Sequence, residues 1–377
     1  MKNKVIHLFK GIVILAFCIF SIYFIFSKQK NQEEAFVNVY DWYGMIPAEI
    51  LHEFEKETGI HVRYDVYDNN EVLEAKLLAS NSGYDVVFPT ATPYVSRQIK
   101  VGIYQPLNKE LLTNFKGFNK TITAHMNTVD PGMAYAIPYY WGTLGIAFDK
   151  DKVMARLPNV DLESYDILFN SENLKKLKSC GVSFLEEAID VMPLTLAYLG
   201  RPSNSETAED LKLTTEHLLK LRPSIKRFTS ARFMNDLVLG DVCVAQAWSG
   251  EAQQAEEDAK ELGRNIVYVV PKEGTTLWID CMAIPVGSPH PINAHKFINF
   301  LLRPEISAKI TNKTKLPTVI DAALPMVDKD IKNNKAIYPK PDVMKKLRLD
   351  APQTSDASLK FDRERTKAWI NIRLNRK

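Results

Sequence analysis

Cysteine is scarce in this chain, and so is any excess of charge. Four cysteines occur in 377 residues, no two at Cys-x-x-Cys spacing and none accompanied by a histidine pair, which argues against a structural zinc site. The formal net charge is +3, from 48 basic and 45 acidic residues, and no basic tract is interleaved with aromatics. Such a balance argues against a nucleic-acid surface. A Gly-x-Ser-x-Gly elbow, a His-Glu-x-x-His helix, a phosphate loop and a dinucleotide fingerprint are all missing. The seven histidines are scattered, with His52 and His125 lacking a partner at a telling spacing. No catalytic residue, cofactor or metal is therefore assigned, and no internal repeat or low-complexity segment stands out.

One long apolar run is present. Lys2, Lys4 and Lys10 precede it, it extends from Gly11 to Phe26, and Lys28 and Lys30 close it. That polarity is the signature of an export signal. The run is slightly short of the roughly 20 residues that span a bilayer comfortably. No small-x-small cleavage site follows, because Glu33 stands two positions before Ala35. Residues 1–35 thus read either as a cleaved signal peptide or as an uncleaved membrane anchor, the only membrane contact expected. Cys18 follows Leu15, Ala16 and Phe17, and Phe17 is bulkier than a lipid-attachment box accepts. Outside this run three cysteines remain, Cys180, Cys243 and Cys281. In an oxidising compartment they imply one bridge and one buried thiol.

From about Phe36 onward the chain is long enough for two lobes. FVNVYDW alternates as a strand, and Pro47 opens a helix through AEILHEFEKET that Gly59 closes. The strand HVRYDVY, the helix NEVLEAKLLAS and the strand YDVVFP follow. This order predicts an α/β fold with a parallel sheet covered on both faces. Thr92 and Pro93 are expected to cap and begin the next helix, which leaves Thr90 at the carboxyl end of a strand, where open α/β sheets bind ligands. A second α/β unit follows the extended segment MAYAIPYYWGTLGIAFD, with Gly240 and Asp241 turning a helix into the strand VCVAQAW. From Trp278 the chain reads as returning to the first unit. The expected limits are a first lobe over 36–141, a second over 142–276, and a return with carboxyl-terminal helices over 277–377. The stretch 327–360 reads as surface connection before a final helix containing Trp369.

Three acids in the second half stand near a tryptophan or an apolar strand end: Asp190 in EEAIDVM, Glu251 in AWSGEAQ and Asp280 in TTLWIDCMAIP. A carboxylate at such a place is costly to desolvate unless a cation meets it, and an indole face attracts the same cation. Trp42, Trp248 and Trp278 can supply flat walls while the acids supply charge. An organic amine with ammonium groups separated by methylenes is what such a receptacle would take.

The stretches VYDWYGMIPAEILHEFEKETGIHVRYDVYDNNEVLEAKLLASNSGYDVVFPTA, IPYYWGTLGIAFDKDKV, LKSCGVSFLEEAIDV, LGDVCVAQAWSGEAQQA and WIDCMAIP resemble the periplasmic putrescine- and spermidine-binding proteins of polyamine ABC transporters. The resemblance runs in order over nearly all of the exported portion. It implies a monomeric two-lobed periplasmic binding protein with an amine held at the hinge and delivered to an inner-membrane ABC permease. It also implies ligand contacts from Trp42, Thr90, Asp190, Trp248, Glu251, Trp278 and Asp280, a further acid at Glu187, and a disulfide between Cys180 and Cys243. Where the family carries a hydroxyl residue, an acid and a tyrosine after the first tryptophan, this chain has Tyr43, Gly44 and Met45. The family's glutamate and aspartate are exchanged at Asp190 and Glu251, and a late tyrosine falls at Leu316. These departures put the usual diamine in question and bring Tyr43 into the set of candidate contacts. Two other readings use the same residues: a membrane-anchored amine sensor, and a carboxylate-dependent hydrolase acting through paired acids.

Overall fold

The computed structural model describes residues 33–79, 81–349 and 355–376. The apolar amino-terminal run and Cys18 lie outside them. Among the described residues no helix is long and apolar enough to cross a membrane.

The described residues contain nine strands: β1 (Phe36–Trp42), β2 (His61–Tyr67), β3 (Val86–Val87), β4 (Ala136–Asp149), β5 (Val182–Phe184), β6 (Arg227–Phe228), β7 (Val244–Trp248), β8 (Ile266–Val269) and β9 (Leu277–Ala283). They join in the order β2-β1-β3-β9-β4-β7-β5-β6, with β8 also on β4. β1 pairs in parallel with β2 and β3, and β5 pairs in parallel with β6 and β7, as strand–helix–strand units require.

The two halves are joined through β4, whose fourteen residues are all buried. Its first half, Ala136–Thr143, pairs with β9, and its second half, Leu144–Phe148, pairs with β7. A strand central to both halves is covered on both faces, so it reads as a near-continuous apolar run. Pro138 cannot donate to the ladder, and the pairing with β9 slips between Pro138 and Tyr140.

Helices cover the sheet where the apolar spacing demands. The helix Ala48–Thr58 buries Ile50 and Phe54 and ends at Gly59, whose φ of 69° is the left-handed conformation that glycine adopts without strain. Phe54 meets Phe297 and Phe300, both on the helix Pro291–Leu301. In the second lobe Phe169 packs against Tyr165, Phe184 and Tyr198. Cys180 and Cys243 form a disulfide that closes 63 residues, and Cys281 is buried and free. In the chain-entropy account a loop of that length is worth about 4 kcal/mol.

Two local expectations are corrected. Thr92 and Pro93 do not open a regular helix: Thr92 is extended (φ −122°, ψ 139°) within a single wide turn, and the helix begins at Ser96. The segment 327–360 is less superficial than its polar composition implied, since Ile331, Val343 and Leu347 are buried. The last helix, Asp356–Arg373, docks on the second lobe, where the Trp369 indole donates to the Glu186 carbonyl at 2.7 Å and stacks edge-on against Phe228.

Candidate functional site

The carboxyl ends of β1 and β3, the middle of β9 and the start of the helix Ser249–Glu261 converge where the two halves of the sheet meet. Trp42 ends β1, and its indole N–H donates to the Phe88 carbonyl at 3.0 Å. The Tyr67 hydroxyl donates to the same oxygen at 2.6 Å, and the two rings lie 4.7 Å apart. Trp42 is thereby fixed as a half-buried wall with its polar edge satisfied.

Asp280 is the anchor of the cluster. It lies opposite Tyr140 in the β4–β9 ladder and bridges to Thr90. The Thr90 hydroxyl donates to Asp280 Oδ1 at 2.6 Å, and Asn70 Nδ2 donates in turn to Thr90 Oγ1 at 2.9 Å. Only 6 % of Asp280 is exposed, and no cationic side chain among the described residues pairs with it. Burial pushes its carboxyl up to about 7, with Thr90 and Tyr140 favouring the anion and Glu251 disfavouring it. Asp41, fully buried beneath Trp42, accepts from the Tyr64 hydroxyl at 2.8 Å; burial holds its carboxyl well above the ordinary range, and Asp280 adds to that.

Trp278 precedes Asp280 by two residues and so shares its face of β9. Its ring meets Tyr140 edge-on at 6.1 Å and covers Gly142, its partner in the ladder. A Cβ on Gly142 would stand 2.1 Å from Trp278 Cζ2 and 2.6 Å from Ser249 Oγ, so only glycine leaves room for the indole. The Trp278 N–H and the Tyr139 hydroxyl are buried without hydrogen-bond partners among the described residues.

From the second lobe, Trp248 ends β7 and meets Phe233 edge-on at 6.1 Å. Glu251 lies in the first turn of the helix that follows. Its side chain is open to water yet hemmed in by protein, as at the floor of a cleft, and this crowding raises its carboxyl pKa. Asp190 lies in the first turn of the helix Ala188–Tyr198, and Gln246 of β7 donates to its carbonyl at 2.6 Å, which ties that turn to the strand carrying Trp248.

The lobes touch beside these groups. Leu316 lies against Gly250, 3.2 Å from where a Cβ would stand, and Lys315 pairs with Glu257 of the helix Ser249–Glu261. The departure noted at position 316 thus falls next to Glu251.

Thr90 is therefore bonded to Asp280 and Trp278 shares the Asp280 face of β9, while Trp42 is held against Phe88 at the end of β1, Glu251 is within electrostatic reach of Asp280, and Trp248 and Asp190 stand at a strand end and a helix start. Tyr43 and Glu187 are exposed, and among the described residues no hydrogen bond or ring contact joins their side chains to the group. Glu187 is the non-helical residue at the start of the helix Ala188–Tyr198, with ψ of 141°. Sequence reasoning missed Asp41, Asn70, Tyr139, Tyr140 and Gly142. Asp41 stands immediately before Trp42, and an acid among the inward positions of an apolar strand was the signal available. Asn70 gave none, since an asparagine at a helix start is ordinarily a cap.

The model of the family described as bacterial extracellular solute-binding protein matches residues 49–339. A putrescine-binding periplasmic protein of Pseudomonas aeruginosa is 43% identical over 340 residues, covering 89% of this chain and 91% of its own length. A putrescine-binding periplasmic protein of Escherichia coli is 41% identical over 345 residues, covering 90% and 92%. Among solved structures, a spermidine/putrescine ABC transporter substrate-binding protein of Streptococcus pneumoniae superposes with a TM-score of 0.81 at 28% identity, over 91% of this chain and all of that one.

Proposed function

Since the chain belongs to the bacterial extracellular solute-binding proteins, we propose that it captures a polyamine such as putrescine or spermidine outside the cytosol and presents it to an inner-membrane ABC permease. The observation that carries this reading is Asp280: a buried carboxylate between Trp278, Tyr140 and Thr90 that meets no cation of the protein's own among the described residues. An ammonium group supplies the missing counter-charge, and the flanking rings suit the methylene chain between two such groups.

On this reading Trp42, Thr90, Asp190, Trp248, Glu251, Trp278 and Asp280 hold the ligand, and Tyr43 and Glu187 stand at the rim. The lobes span 36–141 with the return from 277, and 142–276, and they hinge on β4 and β9. Residues 1–35 export the protein to the periplasm or tether it to the inner membrane, and the protein works as a monomer. It binds and releases without altering its ligand: the paired acids suit charge neutralisation of an ammonium group.

Calorimetric titration of the purified protein with putrescine, cadaverine, spermidine, spermine, agmatine and basic amino acids tests this. Saturable one-to-one binding of at least one diamine or polyamine is expected, and no binding of any of them would overturn it.

A further inference from the structure

Asn70 is an unusual helix-start residue. The capping role belongs to its neighbour Asn69, whose Oδ1 accepts from the Val72 N–H at 2.9 Å. Asn70, buried with 9 % of its surface exposed, turns its amide to Thr90 instead and meets it twice. Its Oδ1 accepts from the Thr90 backbone N–H at 3.1 Å, and its Nδ2 donates to Thr90 Oγ1 at 2.9 Å.

The direction of these bonds is not arbitrary. A backbone N–H can only donate, so the atom facing it is the amide oxygen and the atom facing the hydroxyl is the NH2 group. An NH2 group can only donate, so the Thr90 hydroxyl receives on that side and its single proton points away. The atom in its path is Asp280 Oδ1, at 2.6 Å. One Asp280 oxygen is thus committed as the acceptor of the Thr90 proton.

We propose that Asn70 is a positioning residue for amine capture, acting through Thr90 to orient the Asp280 carboxylate and hold it charged. The proposal rests on the amine-binding reading for its functional consequence, but the hydrogen-bond relay itself concerns the empty protein. Thr90 on this view is chiefly the middle of a relay, and its value to the ligand lies in what its proton does to Asp280. The relay links the helix Asn70–Leu78 to β9 at the point where the lobes hinge.

Substitution of Asn70 by Asp gives the sharpest test. The new carboxylate still accepts from the Thr90 N–H, but it also accepts from the hydroxyl, so the proton turns away from Asp280 and a like charge is added behind it. Asn70→Asp and the hydroxyl-deleting Thr90→Val are compared with the parent as full chains. The titration of Asp280 is followed by carboxyl-carbon NMR with aspartate labelling and Asp280→Asn for assignment. In the empty protein both variants raise the Asp280 midpoint by about one unit, and at pH 6 putrescine affinity falls about tenfold in both. The double variant Asn70→Asp/Thr90→Val binds less weakly than the product of the two single losses, because with the hydroxyl route cut only the through-space repulsion of the new carboxylate remains.

An unmoved Asp280 midpoint in Asn70→Asp overturns the proposal, as does full additivity of the two substitutions in affinity. A purely structural role for Asn70 would lower the melting temperature without moving the midpoint, and that outcome also refutes it. Should the midpoint shift while no amine binds the parent, the relay stands and the amine reading falls.

Discussion

Putrescine affinity should weaken steeply on acidification, with Asp280 as the group responsible. The carboxyl of Asp280 in the empty cleft titrates at about 7, because burial outweighs the help of Thr90 and Tyr140. Alkylammonium groups, like that of lysine, stay charged well above this range, so only the receptor titrates. With the ammonium binding the ionised form, apparent affinity relative to the alkaline limit falls about twofold at pH 7, about tenfold at pH 6 and about a hundredfold at pH 5. The same shift acts on stability, with a determinable sign. Between the ordinary aspartate value of 3.8 and about 7 the folded protein holds a proton that the unfolded chain has released. Stability of the empty protein therefore falls as pH rises through that window and levels off above it. A displacement of roughly three units corresponds to at most about 4 kcal/mol. Asp280→Asn removes this cost and can still accept the Thr90 proton. The empty variant should melt above the parent at pH 8, the gap closing towards pH 4, while its amine affinity drops about a hundredfold or more for want of counter-charge. Calorimetry from pH 5 to 8.5 and thermal melts of both proteins across the same range provide the measurements. A dissociation constant that stays flat over that range, or an Asp280→Asn protein that melts lower at pH 8, would refute the reasoning.

Two further substitutions probe the walls of the cleft. Gly142→Ala places a methyl where Trp278 and the Ser249 hydroxyl now stand, so the indole must move; amine affinity should fall about tenfold, with quenched or shifted tryptophan emission, and an unchanged Kd would show that Trp278 is not a ligand wall. Gly44→Asp restores an acid at the rim, where nothing lies within 4 Å, but Gly44 has a φ of 77°, so the change should cost about 1 kcal/mol in stability while raising putrescine affinity; a lowered melting temperature with no gain in binding would assign selectivity to the exchanged acids at 190 and 251 instead.

Much of the architecture is legible in the linear chain because local rules sufficed for it. The alternation in FVNVYDW, the stop at Gly59, the turn at Gly240 and the near-continuous apolar run of β4 each carry their structure in a few consecutive residues. At Thr92 a local rule holds too: a residue before proline is driven to extended backbone, and the regular helix starts only at Ser96. The carboxylates near tryptophan were visible as residue types because a charge beside an indole on an apolar strand has few structural uses.

What no single segment could reveal is which of those acids meet, and through what. Thr90 and Asp280 are 190 positions apart and hydrogen-bonded, Leu316 reaches Gly250 from the other lobe, and Gly142 is glycine because Trp278 crosses it. Asn70 looks like a cap until the fold brings Thr90 to it. Hydrophobic periodicity encodes which face of an element is buried, and so the chain alone determined an α/β protein carrying acids suited to a cation. The burial that lifts Asp280 towards neutrality and the direction of the one proton that opposes it depend on atoms drawn together from distant segments, and only the tertiary structure decided them.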